Sequence, residues 1–114
     1  MMGKMTVREL GDKLNLTAFC LPNPDAEVTG GYVGDLLSWV MGRAGEGQAW
    51  ITIMSNRNVA AVAQLTEVAC VILAEGVQPD SDLLTAAEAH GINLLGSARD
   101  SFTLAVELGK RNKE

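Results

Sequence analysis

The sequence predicts an α/β fold: a small, mostly parallel sheet flanked by helices, built as a single domain over residues 1–114. Three observations carry this. The runs 49–54 and 68–73 are almost continuously apolar, the mark of strands covered on both faces. Segments with helical periodicity separate such runs, and that alternation calls for crossovers onto a parallel sheet. Cap residues and glycine stops fall at the junctions. A chain of 114 residues is long enough for one core, burying roughly 65% of its extended surface.

Each element has its own local reason. Thr6 and Glu9 have capping-box spacing and start a short helix that ends between Gly11 and Lys13. Residues 14–21 read as a strand, and Pro22-Asn23-Pro24-Asp25 as a loop that continues neither structure. Residues 26–29 are a second extended piece. Gly30 and Gly31 then permit a sharp turn into a helix over 32–42. In that helix Val33, Leu36, Leu37, Val40 and Met41 fall on one apolar stripe. A glycine-rich turn over 42–47 leads to the stretch 48–55, which holds a strand over 49–54. Asn56 caps a helix from Arg57 to about Gln64. After the strand 68–73, Asp80 or Ser81 caps a helix through Ala89, and Gly91 ends it. Residues 92–95 form a further strand. Ser97 caps the last helix, which runs to about Arg111 with Asp100 at its third position.

Composition narrows the function. The net charge is −5 and the pI about 4.8, against the basic face that phosphate neutralisation needs, so nucleic acid is not an expected partner. Lys110, Arg111 and Lys113 read as complements to a helix C-terminus. No apolar run approaches the roughly 18 residues of a membrane span. Met1-Met2-Gly3-Lys4 is not followed by the apolar core of a signal peptide, so a cytoplasmic location is expected. Cys20 and Cys70 sit in apolar runs without C-x-x-C spacing and read as buried free thiols. One His and two Cys are too few for the usual structural metal set, and no cofactor is expected. His90 is placed to border the core or end its helix. No nucleophile elbow is present, so no catalytic residues are assigned.

The block Thr29-Gly30-Gly31-Tyr32-Val33-Gly34-Asp35-Leu36-Leu37-Ser38-Trp39-Val40-Met41-Gly42 resembles the signature of DRTGG domains. The resemblance continues through Ile51-Thr52, Asn56-Arg57-Asn58, Val71 to Gly76 and Gly96 to Phe102, and so covers the chain from Thr6 to Leu108. It implies a fold similar to the N-terminal domain of HPr kinase/phosphorylase. Such domains also occur between the CBS domains of some family II pyrophosphatases and beside some phosphotransacetylases. Freestanding copies exist, some accompanying hydrogenase or other redox genes, and this chain would be one of the freestanding kind. The implied role is regulatory or subunit-joining rather than catalytic. Two departures stand out. The family's Asp-Arg is Glu27-Val28 here, which removes a guanidinium able to hold an anion. The kinase's P-loop has no counterpart in the sequence.

Two surfaces are candidates. Ligands of parallel α/β sheets bind at the carboxyl ends of the strands, which nominates Asn56, Glu75, Ser97 and Asp100. The Gly30-Gly31 turn, with Thr29, would present N–H groups to an anion beside them. Each of these residues also has a structural use as a cap or turn. The second surface is the helix over 32–42. There Trp39 lies off the main stripe and joins Val40 and Met41 in a wide apolar arc, as at a dimer interface. The function expected first is a self-associating regulatory module, a homodimer acting on a metabolic or redox protein. The alternative is a sensor of a nucleotide or other anion.

Overall fold

The computed structural model describes residues 5–112. The chain begins with β1 (Met5–Thr6), α1 (Val7–Lys13), β2 (Thr17–Cys20), β3 (Glu27–Val28) and β4 (Gly30–Val33). It continues through α2 (Leu37–Arg43), β5 (Gln48–Thr52), α3 (Asn58–Thr66), β6 (Cys70–Leu73), α4 (Ser81–His90), β7 (Leu94–Gly96) and α5 (Ser101–Asn112). The main sheet has the order β2-β7-β6-β5-β4. Its last four strands are parallel, and β2 joins β7 antiparallel with a register shift between Ala18 and Cys20. β1 and β3 form a separate two-stranded ribbon. The expected α/β class, a mostly parallel sheet flanked by helices, is therefore the observed one.

Alternation along the central strands builds two cores. Ala49, Ile51, Cys70, Ile72 and Leu95 face α1 and α5. Trp50, Val71, Leu73 and Leu94 face α2, α3 and α4, where Val40, Val59, Ala63, Leu83 and Ala87 cover them. β5 and β6 are thus buried on both sides, as their unbroken apolar runs require. Cys20 and Cys70 are free and buried. Burial pushes the Cys70 thiol up to about 12. The Cys20 thiol is also raised, by burial and then by the Glu88 carboxylate.

Local signals account for several boundaries. Glu9 N donates to Thr6 Oγ1 at 3.1 Å and Thr6 N to Glu9 Oε1 at 2.9 Å, the reciprocal pair of a capping box. Asn56 Oδ1 accepts from Asn58 N at 2.9 Å ahead of α3. Gly91 ends α4 with φ +70°, a conformation glycine adopts without strain.

Two expectations need correction. Gly30 and Gly31 do not turn the chain into a helix. They begin β4, which pairs residue by residue with Gln48 to Ile51, and α2 starts only at Leu37. Tyr32 and Val33 suit a strand better than a first helical turn, and Gly31 lies so close to Leu108 that a Cβ there would collide with it. The last helix is capped by Asp100, not Ser97. Asp100 Oδ1 accepts from Thr103 N at 2.7 Å, whereas Ser97 Oγ accepts from Arg99 N at 3.1 Å within the preceding turn. Of the two places expected for His90, the structure gives the helix end: it is exposed in the last turn of α4. The expectations for Met1 to Lys4 and for Lys113 lie outside the described residues.

Candidate functional site

The parallel strands give the sheet two unlike ends. At the carboxyl end, the loops after β5, β6 and β7 are tied together through their backbones. Ala74 N donates to Thr52 O at 2.9 Å, Ser97 N to Leu73 O at 2.9 Å, and Gly76 N to Ser97 O at 2.9 Å. Glu75 N donates to Arg99 O at 2.8 Å and Asp80 N to Ser55 O at 3.0 Å. The expected residues Asn56, Glu75, Ser97 and Asp100 all lie on this end. Glu75 is held at φ +63°, the left-handed region, with an exposed side chain. Hydrogen bonds from Thr103, first its backbone N–H, hold the Asp100 carboxyl below the usual range.

Thr29, Gly30 and Gly31 do not join them. Thr29 precedes its strand, so it falls at the amino end: Thr29 N donates to Gly47 O at 2.8 Å, and its hydroxyl to Glu46 O at 3.3 Å. Gly30 and Gly31 lie opposite Gln48 and Ala49. The length of β5, five residues or roughly 16 Å, separates the two groups.

At the carboxyl end the place expected for Thr29 is filled by Asp35. Asp35 Oδ1 accepts from the buried Thr52 hydroxyl at 2.8 Å and from Ile53 N at 2.9 Å. Thr52 Oγ1 in turn accepts from Met54 N at 3.2 Å. Ser55 Oγ donates to Asp80 Oδ1 at 3.2 Å. The sequence signal for Asp35 was Gly34-Asp35 directly after Tyr32-Val33, which marks the end of a strand. Acids dominate this end: Asp35, Glu75, Asp80 and Asp100 stand against Arg57 and Arg99. Arg99 is engaged elsewhere, donating from Nη1 to Leu14 O at 2.6 Å with Glu107 Oε1 at 3.5 Å. The edge therefore offers carboxylates, hydroxyls and a left-handed Glu75-Gly76 turn, with little positive charge.

The amino end holds a cavity of about 380 Å³, rimmed by Glu27, Thr29, Glu46 and Glu67. Asn93 forms part of its wall, and its side chain is satisfied. It accepts from Asn23 N at 3.0 Å and donates to Asn23 O at 2.7 Å and Ala69 O at 2.9 Å. Among the described residues no cluster of three or more His, Cys, Asp or Glu is arranged to hold a metal ion. No helix there is long and apolar enough to cross a membrane.

The expected interface residues fall in three different places. Trp39 is 55% exposed, with the Arg43 guanidinium 3.9 Å above its ring. Val40 is fully buried against the sheet and is not available to a partner, which corrects that expectation. Met41 points the other way, into a 330 Å³ apolar groove shared with Leu37, Ala61, Val62 and Leu65.

No family model matches the sequence, and no curated protein matches it. Among solved structures, the chain is similar to the regulatory region of a Clostridium perfringens pyrophosphatase. That region comprises CBS and DRTGG domains and is complexed with its activator, diadenosine tetraphosphate. The TM-score is 0.67 at 16% identity, over 91% of this chain and 47% of that one. The chain thus spans about half the length of its neighbour. At that identity the likeness is one of fold, a DRTGG-like α/β architecture.

Proposed function

We propose that the chain is a non-catalytic regulatory module that self-associates as a homodimer and modulates a metabolic or redox protein in the cytoplasm. The observation that supports this most is its exposed apolar surface. Leu36, Trp39 and Phe102 are between 55% and 78% exposed, and large apolar side chains left at the surface mark interaction sites. The fold it shares with a pyrophosphatase regulatory region supports the same reading, as does the sequence resemblance to DRTGG domains and the N-terminal domain of HPr kinase/phosphorylase. Light scattering tests it. A mass of twice the 12.1 kDa chain is expected, lowered by Trp39→Ala without loss of fold. A monomer at every concentration up to several hundred micromolar refutes it.

A second reading is a sensor of a nucleotide or other small anion. It is supported by the nucleotide activator of the structural neighbour, and by the gathering of Asn56, Arg57 and Ser97 at one sheet end, where parallel α/β sheets bind ligands. Binding of diadenosine tetraphosphate, ATP or AMP at a hundredfold excess over Kd stabilises by about 2.7 kcal/mol. For a chain of this length that raises Tm by roughly 11 °C. A flat melting curve across such a panel rules this reading out.

A further inference from the structure

The sheet has two outer strands, and they are finished differently. β2 carries a register shift between Ala18 and Cys20, the kind of irregularity that guards an edge against pairing. β4, Gly-Gly-Tyr-Val, has no bulge within its ladder, no charge and no proline. Gly34 N donates to Ile51 O across the β4–β5 ladder. Backbone direction alternates along a strand, so the N–H and C=O groups of Gly31 and Val33 point away from β5, to the open edge.

Apolar side chains frame this edge on both faces. On one face, Ala105, Leu108 and Gly109 of α5 line a 160 Å³ cleft with Gly31, Tyr32 and Val33. Phe102 and Val106 lie on the same helical ridge as Gly109, and are 78% and 41% exposed. On the other face, Met41 faces α3. Trp39, about 200° around the helix from it, therefore flanks β4, with Leu36 one turn earlier. Val33 itself is 47% exposed. Of the eight large apolar residues exposed among the described residues, five thus gather at one edge.

We propose that a second copy of this chain adds to the β4 edge, strand against strand, in antiparallel register. This rests on the self-association proposed above and specifies its geometry. Pairing Gly31 with the partner's Val33, and the reverse, places a two-fold axis at Tyr32. All four outward backbone groups are then satisfied twice over the axis, in two hydrogen-bonded pairs. The side chain of Val33 lies over the bare Cα of the partner's Gly31. The two sheets become one of ten strands, and the Phe102–Val106 ridges of the two α5 helices meet beside it. The five side chains offer roughly 400 Å² of apolar area. That is close to the apolar share of the ~800 Å² per partner in a standard interface.

The test uses the full chain in sedimentation equilibrium. Val33→Pro removes one outward N–H and leaves every β4–β5 bond in place. Val33→Lys places a charge on the edge instead, in case the proline perturbs the strand. Both variants are expected to weaken the dimer at least 100-fold while Tm moves by no more than a few degrees. Leu65→Asp, in the α2–α3 groove, is expected to leave the dimer intact. Protection of the Gly31 and Val33 amides from hydrogen exchange is expected to rise with protein concentration. A dimer that survives both Val33 variants, or that Leu65→Asp abolishes, overturns the edge geometry while leaving self-association standing. A wild-type chain that is monomeric throughout overturns both.

Discussion

Asp35 makes the sharpest energetic prediction. It joins the end of β4 to the end of β5 by accepting from the Thr52 hydroxyl and from Ile53 N through one oxygen. Thr52 is fully buried, so Asp35→Ala leaves its hydroxyl without that acceptor, and the Ile53 amide loses its partner too. A buried group left without its partner costs about 1–3 kcal/mol, and an exposed amide costs less because water replaces the bond. A loss of about 2 kcal/mol is expected, which lowers Tm by roughly 8 °C for a chain of this length. Asp35→Asn keeps an acceptor oxygen and is expected to recover half or more of that. Thr52→Val removes the buried hydroxyl, so Asp35→Ala in that background is expected to cost about 1 kcal/mol less. Urea denaturation of the four proteins measures the cycle. Additive costs, or a single Asp35→Ala cost under about 0.5 kcal/mol, refute the claim that this carboxylate latches the two strands.

Three further outcomes follow from burial and capping. Val40→Asp puts an unpaired carboxylate in a fully buried site and is expected to cost at least about 4 kcal/mol, seen as loss of the cooperative melt, whereas Trp39→Ala stays folded. The Cys70 thiol, raised from 9.0 to about 12 in the folded chain, is protonated more readily folded than unfolded. Its contribution is complete below pH 9 and is lost as pH rises towards 12, so alkaline unfolding of wild type is expected to begin earlier than that of Cys70→Ala in pH-jump melts. The Asp100 carboxyl is lowered in the folded state, so its stabilisation of α5 is present above the ordinary carboxylate pKa and fades as pH falls through the lowered one. Asp100→Ala is expected to speed exchange of the Thr103 amide at neutral pH and to make little difference in strong acid.

What was legible in the sequence was whatever a local pattern decides. The unbroken apolar runs of β5 and β6, the Thr6–Glu9 box and the Gly91 stop each depend on residues close together in the chain. The β4–α2 junction does not. Val33, Leu36, Leu37, Val40 and Met41 satisfy a helical stripe, and what makes Val33 a strand residue is its pairing with Ile51, a long-range contact. The candidate site divides the same way. Asn56, Glu75, Ser97 and Asp100 follow parallel strands and so share an end. Thr29 was misplaced because it precedes β4 instead of following it. Asp35 was missed as a site residue because reading 32–42 as a helix put it on a helical face.

The two proposed activities meet at that same junction. Asp35 closes the carboxyl end of the sheet, and Leu36, next to it, belongs to the apolar frame of the open edge. A ligand drawn to the carboxyl end that engaged Asp35 would compete with the Thr52 and Ile53 bonds and displace the start of α2. Linkage then makes the effect reciprocal: whatever factor the ligand applies to dimerisation, dimerisation applies to ligand affinity. Coupling energies of this kind are typically about 1–3 kcal/mol, or roughly 5- to 150-fold. Sedimentation of the chain with and without saturating nucleotide measures that factor directly. In the Asp35→Asn variant, which weakens the latch but keeps both surfaces, a coupling carried by Asp35 is expected to shrink. Nucleotide binding that leaves the dimer constant unchanged in wild type would show that the two ends of this loop act independently, and that regulation through it needs another route.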